Sequence, residues 1–236
     1  MKPMIDDFEK VRGVHELPLF PLSVILFPGT PLPLHIFEPR YRQLLADARE
    51  GNSLFGLSYF NAEGFEERPP VGHLGCVAEV RDVQDLPDGR SNILTVGVMR
   101  YRLDEYVSTD KTYLIGRISY FADEPEDEAD LAPVAAEVMD LFMRIARAIR
   151  TINDDRSELP ELPDTEAEQL SFLVSAAIEL DDVMKLELLE MRSTSERLGR
   201  LRDYLLRAVD DYEYRARIHG VAKTNGHGAK KISLDE

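Results

Sequence analysis

Histidine, cysteine and paired carboxylates are the residues that most often carry acid–base, nucleophilic or metal chemistry, and this chain places each of them awkwardly for it. The five histidines, His15, His35, His73, His219 and His227, are scattered. None stands in a His-Glu-x-x-His spacing, and one cysteine cannot make a Cys-x-x-Cys pair. No metal or other cofactor is expected. His35, between Leu34 and Ile36, reads as a strand residue bonded to backbone. Cys76 sits in an alternating apolar run and reads as a buried structural thiol rather than a nucleophile. Asp181-Asp182 stands where a helix should begin, so capping explains the pair better than catalysis does. Gly72, Gly75 and Gly97 lack the spacing of a phosphate-cradling loop and read as turn and bulge positions. The chain is therefore expected not to be an enzyme.

Recognition chemistry remains. Aromatic side chains at junctions between sheet and helix suit both strand addition and the insertion of apolar side chains into a groove. Phe37, Tyr41, Tyr59 and Phe60 are the candidates for binding a peptide or partner, with Glu38 and Arg40 as nearby polar contacts. Taken singly, Phe37, Tyr41 and Phe60 each fit a core position better than a binding one.

The elements that must position these residues fall into three regions. Residues 15–122 read mostly as strands, 123–130 as an acidic linker and 131–215 as a helical bundle. An extension, 1–14, precedes them, and a disordered tail, 216–236, follows. In the first region Leu17 to Leu22 and the run Val24-Ile25-Leu26-Phe27 are apolar, and Pro28-Gly29 marks a turn. Pro31, Pro33 and Pro39 place the following pieces at edges or corners, because proline cannot donate to a ladder. Phe37, Tyr41, Leu44, Leu45 and Ala48 repeat at helical spacing and Gly51 can end that helix. Residues 54–60 read as a buried strand. Leu74, Cys76, Ala78 and Val80 alternate into the turn Leu86-Pro87-Asp88-Gly89. The return arm alternates at Leu94, Val96 and Val98, then at Met99, Tyr101 and Leu103. That change of face predicts a bulge near Gly97–Met99. A last strand runs from Tyr113 to Phe121. Short strands with turns and bulges favour a barrel-like sheet over a βαβ fold. The second region carries a stripe at Val134, Val138, Leu141, Ile145 and Ile149, capping boxes at Thr165–Glu168 and Ser193–Glu196, and a long helix facing inward through Leu198, Leu201, Leu205, Val209 and Tyr212.

Charge narrows the choice of partner. The 236 residues carry 44 acids and 28 bases, for a net of −16. Counting along the sequence gives 17 acids and 13 bases (−4) over 1–122, and 27 and 15 (−12) over 123–236. Such a surface repels phosphate backbones and anionic lipid heads, so neither nucleic acid nor membrane is the expected partner. There is no secretory h-region at the start and no membrane-length apolar run, which points to the cytoplasm.

The order of three pieces resembles the start of the Lon protease amino-terminal domain: Leu17-Pro18-Leu19-Phe20-Pro21-Leu22, Leu26-Phe27-Pro28-Gly29, and Pro33-Leu34-His35-Ile36-Phe37-Glu38-Pro39-Arg40-Tyr41. Gly75–Ala78, Leu86–Arg90 and Gly97–Tyr101 fall where that family has its central hairpin, and residues 182–206 are similar to its closing helices. The resemblance covers roughly 15–212. It implies an α+β fold: a PUA-like β pseudo-barrel with a short inserted helix, followed by a C-terminal helical bundle. It also implies a non-catalytic module that binds protein or peptide, taking unfolded polypeptide or a specific protein partner. No P-loop is present and no Ser–Lys protease domain fits, so the family's ATPase and peptidase activities do not carry over. An RNA-binding PUA-like protein and a cryptic hydrolase acting through Cys76 or a histidine are the alternatives.

Overall fold

A computed structural model describes residues 8–60, 68–155, 157 and 165–226. Contacts group the chain into two compact units, one of 1–125 with 172–193 and one of 126–171 with 194–236. The grouping interleaves along the chain, unlike the sequence-order division expected from composition. The helix that contains Ser171 and Phe172 contributes to both.

The first unit holds six strands: β1 (Glu16–Leu22), β2 (Pro31–Ile36), β3 (Leu54–Tyr59), β4 (Leu74–Asp85), β5 (Ser91–Val107) and β6 (Leu114–Phe121). Their order is β2-β5-β4-β3-β1-β6, and β5 also pairs with β6. The pairings therefore return on themselves through β5, β4, β3, β1 and β6, leaving β2 attached outside the ring. Only β1 and β3 run parallel. The 17-residue β5 closes the ring because it is long enough to pair with β4 over its first part and β6 over its second.

Bulges let one strand do both. Cys76 pairs with Arg100 and Ala78 with Gly97, so β5 carries an extra residue at Val98–Met99, as the change of face predicts. The earlier part of the arm differs from expectation: Ile93 and Thr95 are buried and Leu94 is 39% exposed. A period of two fixes which residues share a face but not which face is wet, and here Leu94 shares the wet face with its β2 partner, the exposed Pro33. Gly97 must be glycine, since a Cβ there would collide with the Phe27 carbonyl. The same holds for Gly56, where a Cβ would lie 2.6 Å from the Tyr101 hydroxyl that meets Ser58 Oγ at 2.7 Å.

Alternation sends neighbours in the sheet to two different cores. Leu57, Cys76, Ala78 and Ile93 join Tyr41, Leu44 and Leu45 from helix α1 (Pro39–Glu50). Val77, Val98, Tyr101 and Leu103 join Leu17, Leu19 and Ile118. Pro39 opens α1 at a position where its missing N–H is harmless, and Gly51 closes it.

Three of the helices lie wholly or partly in the segments beyond the sheet's own chain: α2 (Glu128–Ile152), α3 (Ala167–Ala177) and α5 (Thr194–Gly226). The remaining one, α4 (Asp182–Glu190), belongs to the first unit. Asp181 caps α4, its carboxylate accepting from Met184 N at 2.7 Å. The end of α4 is tied to β5 by Arg100, whose guanidinium donates to the carbonyls of Leu189 (2.9 Å) and Met191 (2.5 Å) and pairs with Asp123. Phe121 and Phe172 cover its faces at 4.7 and 5.0 Å.

Asp123 corrects the reading of 123–130 as a wholly solvated linker. Its side chain is 3% exposed, because Arg100 supplies a buried cation. Asp127 caps α2, and Glu128 and Asp130 lie in the first turn, where the helix dipole favours acids. In the second unit α2 packs on α5. Leu198, Leu201, Leu205 and Val209 are buried, as are Val138, Leu141 and Ile145. The α2 stripe is turned slightly from the expected one: Leu131, Ala135 and Ala148 are inside and Ile149 is 37% exposed. Helix α5 continues to Gly226, into the segment expected to be disordered, carried by good helix formers such as Arg215, Ala216 and Arg217. The rest of that expected tail, 227–236, lies outside the described residues.

Candidate functional site

The region around β2 is built by proline chemistry. Residues of β2 and β5 pair so that Thr30 accepts from Gly97 N at 3.0 Å, and the register continues Leu32↔Thr95, Leu34↔Ile93, Ile36↔Ser91. These even-numbered residues direct their backbone groups at β5. Pro31, Pro33 and His35 direct theirs at the free edge. Two of those three have no N–H, so the edge offers carbonyls but at Pro31 and Pro33 no donor.

The solvent side of the same strand pair carries Pro31, Pro33 and His35 opposite Val96, Leu94 and Asn92. His35 Nδ1 meets Asn92 Oδ1 at 2.7 Å. Its partner is thus a side chain rather than the expected backbone group, which follows from the close approach of side chains at a non-hydrogen-bonded pair. Phe37 stacks on His35 with ring centroids 5.9 Å apart and is 55% exposed.

Of the other candidate residues, Glu38 and Arg40 form an ion pair at 2.9 Å at the entry to α1. Arg40 lies 4.6 Å from the centroid of the Tyr41 ring. Tyr41 itself is core: it is 6% exposed and its ring is 3.9 Å from that of Phe20. Burial raises the pKa of its hydroxyl, Arg40 lowers it and Glu38 raises it further. Tyr59, at the end of β3, donates its hydroxyl to Asp182 at 2.9 Å. Phe60 is half-buried, its N–H donating to Leu22 O at 2.8 Å. The candidates therefore divide into a group at the β2–α1 junction and a pair at the end of β3.

Asp182 connects the second group to a cleft that sequence reasoning did not single out. The cleft has a volume of about 290 Å³ and lies between the β1–β2 connection and α4. Val24, Ile25, Leu26, Leu32 and Ala176 give it an apolar lining, with Asp182 and Lys185 from α4 at its side. Pro31, at the start of the β2 edge, also lines it. The signal was present in part: an apolar run bounded by prolines, and two adjacent aspartates of which only the first is needed as a cap. Among the described residues no three His, Cys, Asp or Glu side chains converge as a metal site would need. Cys76 is 1% exposed, beyond reach of a substrate.

The sheet pairs into a ring with one proline-edged strand outside it, and the cleft opens beside that strand. The chain belongs to the family of the ATP-dependent protease La (LON) substrate-binding domain, whose family model matches residues 16–207. It is 27% identical over 217 residues to Lon protease 2 of Herpetosiphon aurantiacus, covering 90% of this chain and 26% of that protein. It is 30% identical over 150 residues to the Lon protease of Parabacteroides distasonis, covering 61% of this chain and 18% of that protein. The chain thus spans about a quarter or less of these relatives. Among solved structures, the Lon N-terminal domain protein from Xanthomonas campestris aligns with a TM-score of 0.56 at 22% identity, over 80% of this chain and 97% of that one. The N-terminal domain of the Mycobacterium avium complex Lon protease aligns with a TM-score of 0.59 at 21% identity, over 80% and 97%. These likenesses establish the fold: a mixed α+β protein with a six-stranded sheet and helices.

Proposed function

We propose that this chain is a non-catalytic module that binds unfolded polypeptide or a protein partner through the region of β2. The observation that carries the reading is the open cleft of mixed polar and apolar lining beside a strand edge, in a chain of the LON substrate-binding family. Phe37, with Glu38 and Arg40 at its rim, forms one contact area. Tyr59 and Phe60 border the other, and Tyr41 supports the first from the core. The ring of strand pairings is read as the PUA-like pseudo-barrel. The sequence-order parts 15–122 and 131–215 are retained as a proposal about domains.

The same reading makes the protein cytoplasmic; among the described residues no helix is long and apolar enough to cross a membrane. RNA binding is disfavoured by the −16 charge, because binding to a phosphate backbone depends on cations that neutralise it. A hydrolase working through Cys76 is disfavoured by the burial of that thiol.

The test uses reduced, carboxymethylated α-lactalbumin, a permanently unfolded chain, with binding followed by anisotropy and integrity by gel. Saturable binding without cleavage, weakened about tenfold in a Phe37→Ala, Val24→Ser double variant, is the expected result; loss of one well-buried anchor at a binding surface is of that order. No binding at high micromolar protein, or cleavage that survives in the purified protein, overturns the reading.

A further inference from the structure

The cleft between the β1–β2 connection and α4 is lined by one cation, Lys185, and one carboxylate, Asp182. Lys185 lines it, is half-buried and makes no ion pair or side-chain hydrogen bond among the described residues. Asp182, one turn earlier on the same helix, is engaged by the Tyr59 hydroxyl at 2.9 Å. In a chain with 44 acids and 28 bases, a lining cation outside ion-pair distance of every described carboxylate is unusual. Most of the other described basic side chains in this unit have one: Arg40 with Glu38, Arg49 with Asp85, Arg90 with Asp88, Arg102 with Glu190, Lys111 with Asp47 and Arg117 with Glu16.

The neighbouring edge limits how a polypeptide can lie there. A strand added to β2 needs donors and acceptors in alternation, and Pro31 and Pro33 remove the donors at two of the three outward positions. A bound chain can give its N–H groups to the Pro31 and Pro33 carbonyls but finds nothing for its own carbonyls at those positions. Side chains must therefore supply the selectivity. The cleft is lined by Val24, Ile25, Leu26, Leu32 and Ala176, which takes an aliphatic or aromatic side chain. Lys185 then faces whatever group lies next to that side chain.

We infer that this cleft selects, within an unfolded polypeptide, an apolar side chain that has an acidic side chain close to it in sequence. The inference rests on the peptide-binding reading above and narrows it to a substrate class. A partly exposed pair of this kind contributes little, so the charge acts as a preference of about threefold on top of the apolar contact.

The experiment uses three labelled twelve-residue peptides, acetylated and amidated so that no terminal charge remains. Each has a Ser/Gly background with a central Leu-Leu-Asp, Leu-Leu-Asn or Leu-Leu-Lys, and anisotropy reads the affinity for the native chain and for Lys185→Glu. The native chain should bind in the order Asp, Asn, Lys, with about threefold between steps, and Lys185→Glu should reverse the order. Lys185→Gln should flatten it; circular dichroism identical to the native spectrum shows that each variant is folded. The preference should shrink in high salt. An order unchanged by the charge reversal overturns the inference. Equal binding of all three peptides overturns it while leaving general polypeptide binding intact, whereas no binding of any of them, nor of unfolded α-lactalbumin, removes both.

Discussion

Replacing Arg100 by methionine should destabilise the first unit more than any other single loss of charge in it. Methionine keeps an unbranched stem of similar length and deletes the guanidinium, with its contacts over the Phe121 and Phe172 rings. Arg100 and Asp123 have side chains 2% and 3% exposed, and breaking a buried pair on one side costs about 3–5 kcal/mol. The carbonyls of Leu189 and Met191 lose their donors as well, about 1 kcal/mol each if water does not replace them. These terms overlap, because Asp123 keeps its other contacts, so a total near 4 kcal/mol is expected. Arg100→Lys should lose about half as much, since one ammonium cannot reach both carbonyls and the carboxylate in the planar fork that arginine presents.

Urea unfolding followed by circular dichroism reads these changes; the chain has no tryptophan to report by fluorescence. Asp123→Asn combined with Arg100→Met closes a double-mutant cycle, and the double variant should be more stable than the sum of the singles by at least about 1.5 kcal/mol. The consequence reaches the site, because the carbonyls at the end of α4 are what Arg100 holds and α4 carries Asp182 and Lys185. Peptide affinity should fall in Arg100→Met even where the protein remains folded. A loss of stability under about 1 kcal/mol, or additive singles, would refute the assignment of this arginine as the tie between β5 and α4.

Two further outcomes are expected. Gly97→Ala should cost more than about 2 kcal/mol in the same urea assay, since the new Cβ meets the backbone carbonyl of Phe27 rather than a side chain that can turn aside. Spectrophotometric titration at 295 nm should show fewer tyrosinates in the folded than in the unfolded chain above pH 10. Burial pushes Tyr101 and Tyr113 well above the ordinary value and Tyr120 up to about 12, with Tyr113 also held by its bond to Asp47. The sign follows from linkage: the unfolded chain releases these protons near pH 10 and the folded chain later, so stability is full below pH 10 and falls as pH rises beyond it. Coincident titrations in the two states would contradict the burial of these hydroxyls.

Local chemistry was legible wherever a residue type allows only one role. Pro39 and Gly51 bound α1, Asp181 caps α4, and the change of face at Val98–Met99 is a bulge in the pairing. The order of the apolar motifs was enough to point to the family. The choice of face on β5 was not legible. Leu94 and Ile93 are both apolar neighbours, and only the packing of α1 on one side of the sheet decides that Ile93 is inside. The acidic connector was misread for a related reason. Composition counts six acids in 123–130, but one of them meets a buried guanidinium from β5 and others occupy the first turn of α2.

The site divided in the same way. Phe37, Glu38 and Arg40 stand out in the sequence as an aromatic and a charge pair beside a proline and remain a proposal as contact residues, while Tyr41 needed the structure to place it against Phe20. Lys185 carries no sequence signal at all. It matters only because the fold brings α4 beside Val24 and Ile25, more than 150 positions earlier in the chain. What the sequence determined by itself is therefore what depends on near neighbours: period, caps, turns, the donors that prolines withhold and the net charge. The tertiary structure decided what depends on distant ones, namely which face is dry, which acid finds a cation and which cation lies by an apolar cleft, because burial and pairing are properties of segments that meet only when the chain folds.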